Sequence, residues 1–262
     1  MLGQMVNAFF TSHGYEVLCY NERFTEESYA KYLTFLNSQK GSVVINCIGR
    51  IKQKTEDPFD LLFTNSLFPL ELARSLREDH FLIHPSTDCV FDGLTSSEYS
   101  VSAKHTADDV YGWSKSLGER AVLSRPNSLL IRVSIIGPDY KTNRGLLGWF
   151  LSLPENTRIN GFDNHYWNGI TTLEWCKQLL PLVEQVNPEQ IVSSSTIQLG
   201  TKNIYTKYEM LNLFQKVFAT NLVIDRFLTP QTIYRCLQSD KEIIELEEQL
   251  VELKTYMEAK KL

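Results

Sequence analysis

Three short apolar runs, "SVVINC" (42–47), "FLIHPS" (81–86) and "SLLIRV" (128–133), constrain this chain more than anything else in it. Each is apolar along its length instead of at alternate positions. That is the signature of a strand buried on both faces, as in a parallel sheet. Parallel neighbours need long crossovers, and helical patterns at 25–38, 57–77 and 108–124 supply them. The expected architecture is α/β, a doubly wound parallel sheet with right-handed connections. Pro69 lies inside the second helical pattern, where its missing amide hydrogen predicts a kink or a restart.

The chain opens with Leu2, Met5, Val6, Phe9 and Phe10 on one helical face, then Gly14 as a stop and "YEVLCY" (15–20) as a strand. In α/β proteins a helix leading into a strand normally follows an earlier strand. After about residue 138 the texture changes. Helices are expected at 144–153, 172–186 and 205–218, with short strands "TIQLG" (196–200) and "LVIDRF" (222–227) between them. Ile243, Leu246, Leu250, Leu253 and Met257 repeat at helical spacing over only about two heptads, which favours a packed terminal helix over a coiled coil. The two parts, 1–138 and 139–262, read as one compact unit with a cleft between them.

Several function classes fall away. A net charge of −5 offers no basic excess for nucleic acid. No apolar run reaches the ~18 residues of a membrane span, and the start lacks a secretory pattern. Five scattered cysteines suit a reduced, cytoplasmic protein. The five histidines are scattered too, so no metal is expected. No Gly-x-Ser-x-Gly elbow marks a serine hydrolase.

The stretch "DDVYGWSKSLGE" (108–119) carries the most chemistry. Asp108 or Asp109 suits a helix cap, which puts Tyr111 and Lys115 four apart on one face. An ammonium beside a phenol favours phenolate, so a lowered Tyr111 pKa and proton exchange near neutral pH are expected. Taken alone, a Tyr-x-x-x-Lys pair is an ordinary packing or surface pair on most helices. Its company matters: "HPSTDCVFDG" (84–93) follows a parallel strand, and ligands bind outside the carboxyl ends of such strands. Thr87 there offers a hydroxyl to a substrate oxygen. It equally suits a turn in which Ser86, Thr87 and Asp88 satisfy the backbone. Cys47, Ile48 and Gly49 end another strand in small residues that a flat cofactor can approach.

This ordered series resembles the extended short-chain dehydrogenases/reductases, and within them the dTDP-4-dehydrorhamnose reductase-like branch. Ser86–Gly93 match its Ser-Thr-Asp-x-Val-Phe-Asp-Gly, and Tyr111–Glu119 match its Tyr-Gly-x-(Ser/Thr)-Lys-x-x-x-Glu. "TNSLFPLELA" (64–73) resembles the branch's Asn-bearing helix, with Asn65 supporting the sheet edge, and "WNGITTLEW" (167–175) also fits. "MLG" resembles the end of the Gly-x-x-Gly-x-x-Gly fingerprint, with Gly3 as its third glycine. The first strand and the first two glycines are then not in this sequence.

The resemblance implies a Rossmann-like dinucleotide-binding domain over 1–138 and a mostly substrate-binding part over 139–262, some of whose segments return to the sheet. It implies NAD(P)H-dependent reduction of a keto group on a nucleotide-activated sugar, in the setting of cell-surface polysaccharide synthesis. Tyr111 would protonate the developing alkoxide, Lys115 would hold the nicotinamide ribose, and Thr87 would bond the sugar oxygen. Cofactor contacts are implied for Met1, Leu2, Gly3, Asn21, Arg23, Cys47, Ile48, Gly49 and Ser134, and substrate contacts for Asp88, Val90, Phe91, Trp149 and Trp167. Arg144 and Arg158 are candidates for the substrate diphosphate. Arg23 tilts the cofactor towards NADP, with NAD left open. A homodimer also stays open. The competing reading is a non-catalytic relative or an inactive truncated one, since the regulatory subunit of methionine adenosyltransferase resembles the same branch.

Overall fold

The computed structural model describes residues 1–260 apart from 26, 53, 54, 56, 140–144 and 188. In chain order the first part contains α1 (Leu2–Ser12), α2 (Tyr29–Asn37), β1 (Val43–Ile45), α3 (Pro58–Leu62), a π turn (Phe63–Leu67), α4 (Phe68–Ser75), β2 (Phe81–Ser86), a 3-10 turn (Asp88–Val90), α5 (Val110–Leu123) and β3 (Ser128–Val133). The second part contains β4 (Ile135–Ile136), α6 (Leu146–Leu151), β5 (Arg158–Phe162), β6 (His165–Trp167), β7 (Ile170–Thr171), α7 (Thr172–Glu184), β8 (Ser195–Leu199), β9 (Tyr205–Thr206), α8 (Lys207–Phe218), β10 (Val223–Phe227), β11 (Ile233–Arg235) and α9 (Leu246–Lys260).

The central sheet has the order β1-β2-β3-β8, parallel throughout, with Ile83 level with Ile45 and Leu129, and Ile131 with Ile197. It is wound on both faces, as the continuous apolar runs predict. Along β2, Ile83 packs into a core with Met5, Val6, Phe9 and Phe10 of α1 and with Leu173 and Cys176 of α7. Its neighbour Leu82 faces the other way, into a core with Tyr32, Phe68, Leu72 and Val122 from α2, α4 and α5. Successive strand residues point to opposite faces, so both must be apolar.

Residues 15–20, expected to be a strand, lie outside the sheet. A strand needs a neighbour to complete its ladder, and β1 pairs with β2 alone among the described residues. The segment is tied to the end of α1 by the Tyr15 amide, which donates to the Phe10 carbonyl at 3.1 Å, and otherwise packs by side chains: Tyr15 and Val17 against one core, Tyr20 edge-on to Tyr32 in the other.

Local signals place the helices. Asp109 caps α5 by accepting the Gly112 amide at 2.8 Å, and Thr206 closes a capping box with Glu209 at α8. Pro69 sits in the first turn of α4, directly after the π turn, so the expected interruption takes the form of a widened turn. α9 is a packed helix with Leu246, Leu250 and Leu253 fully buried. No helix among the described residues is long and apolar enough to cross a membrane.

The π turn and α5 meet with no room to spare. A Cβ on Gly118 would stand 2.1 Å from the Asn65 backbone oxygen. Backbone cannot swing aside as a side-chain tip can, so Gly118→Ala forces α5 off the π turn. We expect it to cost about 1–3 kcal/mol, the usual range for overpacking, read as a lowered urea midpoint at unchanged slope.

Candidate active site

The carboxyl edge of the central sheet gathers the chemistry. Beyond β1, Cys47 lies against the first turn of α1, and a Cβ on Gly3 would stand 3.2 Å from the Cys47 Cβ. Glycine there lets the helix begin close to the strand end. The first turn of α1 contains no acidic residue. Its backbone amides and positive dipole end suit a dinucleotide pyrophosphate, which is the group the fold implies at this place. Met1, Leu2, Cys47 and Ile48 are half-buried around it, and Gly49 is exposed.

One strand over, β2 ends at Ser86 and Thr87 caps the 3-10 turn. Thr87 Oγ1 accepts the Cys89 amide at 3.1 Å and donates to Asp88 Oδ1 at 2.9 Å. Thr87 therefore performs the turn role, and its hydroxyl also lies close enough to Tyr111 to pull against the rise of the phenol's pKa. Lys115, one helical turn further on, is buried, and its Nζ donates to the Pro85 carbonyl at 3.0 Å. Thr87, Tyr111 and Lys115 thus all lie along the carboxyl edge of the sheet, Tyr111 beside the Thr87–Cys89 turn and Lys115 against Pro85 and His84.

The expected lowering of the Tyr111 pKa is overturned. Burial pushes the phenol up, Cys89 adds to this, and the Thr87 hydroxyl offsets only part of it. The Lys115 ammonium is directed at Pro85 and at His84, whose Nε2 lies 3.5 Å away. Burial pulls Lys115 down to about 8, against the opposing pull of Glu119.

Asn65 acts as a brace. Its Oδ1 accepts the Arg50 amide at 2.8 Å, while its Nδ2 donates to the Arg50 carbonyl and to Ser114 Oγ, both at 3.0 Å. This ties the segment after β1 to the helix that carries Tyr111 and Lys115.

Other expected site residues are placed elsewhere. Val90 and Phe91 are fully buried, with Phe91 stacked on Tyr99 at 4.0 Å between ring centroids. Their side chains pack with Leu237 in a small core of their own. Trp167 is buried in the main core and gives its indole N–H to Ser134 Oγ at 2.7 Å, so each satisfies the other's polar group. Asp88 is buried beside Thr87. Asn21 is exposed, and so is Arg23, whose guanidinium lies 3.6 Å from Asp60. Trp149 on α6 keeps 40% of its surface exposed, so its ring is open to a ligand. Arg158 is exposed and paired with Asp225 across β5 and β10 at 3.0 Å. Arg144 lies outside the described residues.

Two features escaped the sequence reading. Behind Ser86, the buried Glu119 accepts hydrogen bonds from Ser86 Oγ at 2.5 Å and from Arg132 Nε and Nη2 at about 3 Å, with His105 Nε2 3.1 Å away. Arg235, far along the chain, donates to the backbone carbonyls of Phe91 at 3.1 Å and Asp92 at 3.2 Å, and so clips the second part onto the motif loop. Glu119 stands in the motif itself, so its place was marked there though its partners were not. Nothing local to Arg235 announces its contact.

Comparison with known proteins agrees with this fold. A family model described as "RmlD substrate binding domain" matches residues 1–228. A curated dTDP-4-dehydrorhamnose reductase of Aggregatibacter actinomycetemcomitans is 26% identical over 173 residues, which is 64% of this chain and 56% of that protein. The matched region therefore spans little more than half of that relative. Two solved structures share the fold. A dTDP-4-dehydrorhamnose reductase from Clostridium acetobutylicum superposes with a TM-score of 0.81 at 17% identity, over 98% of this chain and 96% of that one. A second, from Bacillus anthracis in complex with NADP, gives 0.84 at 14% identity, over 97% and 95%.

Proposed function

This chain belongs to the RmlD substrate binding domain family, and from that premise we propose that it reduces a keto group on a nucleotide-activated sugar, of the dTDP-4-dehydrorhamnose type, with NADPH. The observation that carries the reading is the placing of Thr87, Tyr111 and Lys115 along the carboxyl edge of the sheet, near an acid-free helix start where Gly3 lies against Cys47. The similar Bacillus anthracis protein was solved with NADP, and the exposed Arg23 would accommodate a ribose 2′-phosphate.

The nicotinamide supplies the hydride when it is bound. The chain's own part is orientation and proton delivery. Thr87 Oγ1 donates to the carbonyl oxygen of the substrate, exchanging its bond to Asp88 for one that strengthens as negative charge develops there. Tyr111 Oη gives that oxygen its proton, and the raised phenol pKa keeps the proton on Tyr111 until an alkoxide is present to take it. Lys115, with a midpoint lowered to about 8, would hold ribose hydroxyls and return a proton to the site. Trp149, 40% exposed on α6, offers a ring face to the nucleotide base or the sugar. The product would serve cell-surface polysaccharide synthesis.

The test is a titration with NADPH and NADH by nicotinamide fluorescence, followed by turnover of dTDP-4-dehydrorhamnose. Saturable micromolar NADPH binding, tighter than for NADH, and NADPH-dependent loss of the keto sugar are expected. A folded, monodisperse sample that binds neither dinucleotide would sink the proposal.

A further inference from the structure

Beneath Lys115 lies a buried polar pair that the proposed reaction does not itself use. Asn46 follows β1, His84 sits within β2, and both are almost wholly buried. The Ile48 backbone N–H donates to Asn46 Oδ1 at 3.1 Å, which fixes the orientation of the amide. Asn46 Nδ2, which has only hydrogens to give, therefore faces His84 Nδ1 at 3.0 Å. His84 Nδ1 must accept. A neutral imidazole then carries its one hydrogen on Nε2, the atom 3.5 Å from Lys115 Nζ.

We propose that Asn46 and His84 are a positioning pair for Lys115: Asn46 locks His84 as the Nε2–H tautomer, and that N–H, a donor aimed at Nζ, favours the amine form of Lys115 over the ammonium. An ammonium in this place meets the Pro85 carbonyl on one side and another donor on the other. An amine satisfies both, giving a hydrogen to Pro85 and accepting from His84 with its lone pair.

The surroundings agree. His84 is held neutral, since burial and then the nearby Lys115 push its imidazole well below the ordinary value. Lys115 is lowered by burial itself, and Glu119 on its own helix is the charge that opposes this. Tyr111 stands one turn before Lys115 on that helix, β2 contributes only His84 as a titratable group, and the residue that follows β1 is the uncharged Asn46. The meaning for catalysis rests on the reductase reading above. The tautomer and the lysine midpoint do not, so each can fail alone.

Two measurements on the full chain test the pair. Long-range nitrogen–proton NMR of labelled histidine should show His84 protonated on Nε2 and bare on Nδ1. With lysine labelled at Cε and its resonance assigned by loss in Lys115→Met, the Lys115 titration should centre near 8. In His84→Phe, which keeps the site buried but removes the facing N–H, the midpoint should rise by about one pH unit. An Nδ1–H tautomer would overturn the proposal, and that result needs no variant to fold. A midpoint that falls or stays put in His84→Phe would overturn it too, because loss of an acceptor lowers a lysine and a bystander leaves it unmoved.

Discussion

Replacing Tyr111 with phenylalanine should lower kcat for keto-sugar reduction by about 10²–10⁴-fold, the range for removing a positioned general acid. The ring, its packing and the helix cap at Asp109 stay, so stability and NADPH affinity should hardly change. What is lost is one hydroxyl and the proton it delivers. Steady-state kinetics beside a dinucleotide titration separate these effects. A fall in kcat at constant Kd for NADPH assigns the proton to Tyr111. Activity within tenfold of the parent would place the acid elsewhere. Because burial raises the phenol, its deprotonation lies above the ordinary tyrosine range, so no alkaline loss of activity near neutrality is expected from Tyr111 itself.

The largest loss of stability should come from Glu119→Ala, at about 3–5 kcal/mol. The Arg132 side chain is only 6% exposed, so removing its carboxylate strands a guanidinium in the interior. Its bonds to the Val101 carbonyl and Gln198 Oε1 cannot replace a charge. Ser86 and His105 lose a partner in the same step. Urea unfolding at pH 7 checks the size, and acid unfolding checks the cause. Burial pushes the Glu119 carboxyl up, yet hydrogen bonds from His105 and Arg132 win and hold it below the ordinary range. A carboxylate lowered in the folded state stabilises fully above its unfolded pKa of about 4.3. That share disappears as pH falls through the lowered folded value. The variant should therefore lose less between pH 5 and 2 than the parent does. An equally steep acid limb in both would show that Glu119 is not the group responsible.

How much of this could be read in the residues varies from place to place. The runs 42–47, 81–86 and 128–133 declared a parallel sheet because burial on two faces demands apolar residues at every position, and that demand is local. The Ser86–Gly93 and Tyr111–Glu119 motifs placed Thr87, Tyr111 and Lys115 for a similar reason: a strand end and one helical turn fix their spacing. Residues 15–20 misled because a strand is a property of two chains side by side, and β propensity reports only one of them. Trp167 misled because its apolar ring fits a ligand pocket and a core equally well, and the choice was made by Ser134, thirty-three residues away. The direction of the Tyr111 shift was missed because four-residue spacing does not say where an ammonium points. Pro85 and His84, on another element, decide that.

The π turn at Phe63–Leu67 has a bearing on how this chain tolerates insertion and deletion. A π turn holds one residue more than an α turn, so α3 and α4 run in helical phases offset by about 100°. Asn65 sits in the turn, and the frame that points it at Arg50 and Ser114 depends on that extra residue. Deleting any one position between 63 and 67 would restore regular helix and rotate everything on one side of the cut. Composition would be almost untouched, and the helix would survive. Asn65 would nevertheless leave its brace, and the Phe68–Leu72 face would turn away from the sheet. In this helix the length of the segment, more than the identity of most of its residues, is what the site inherits.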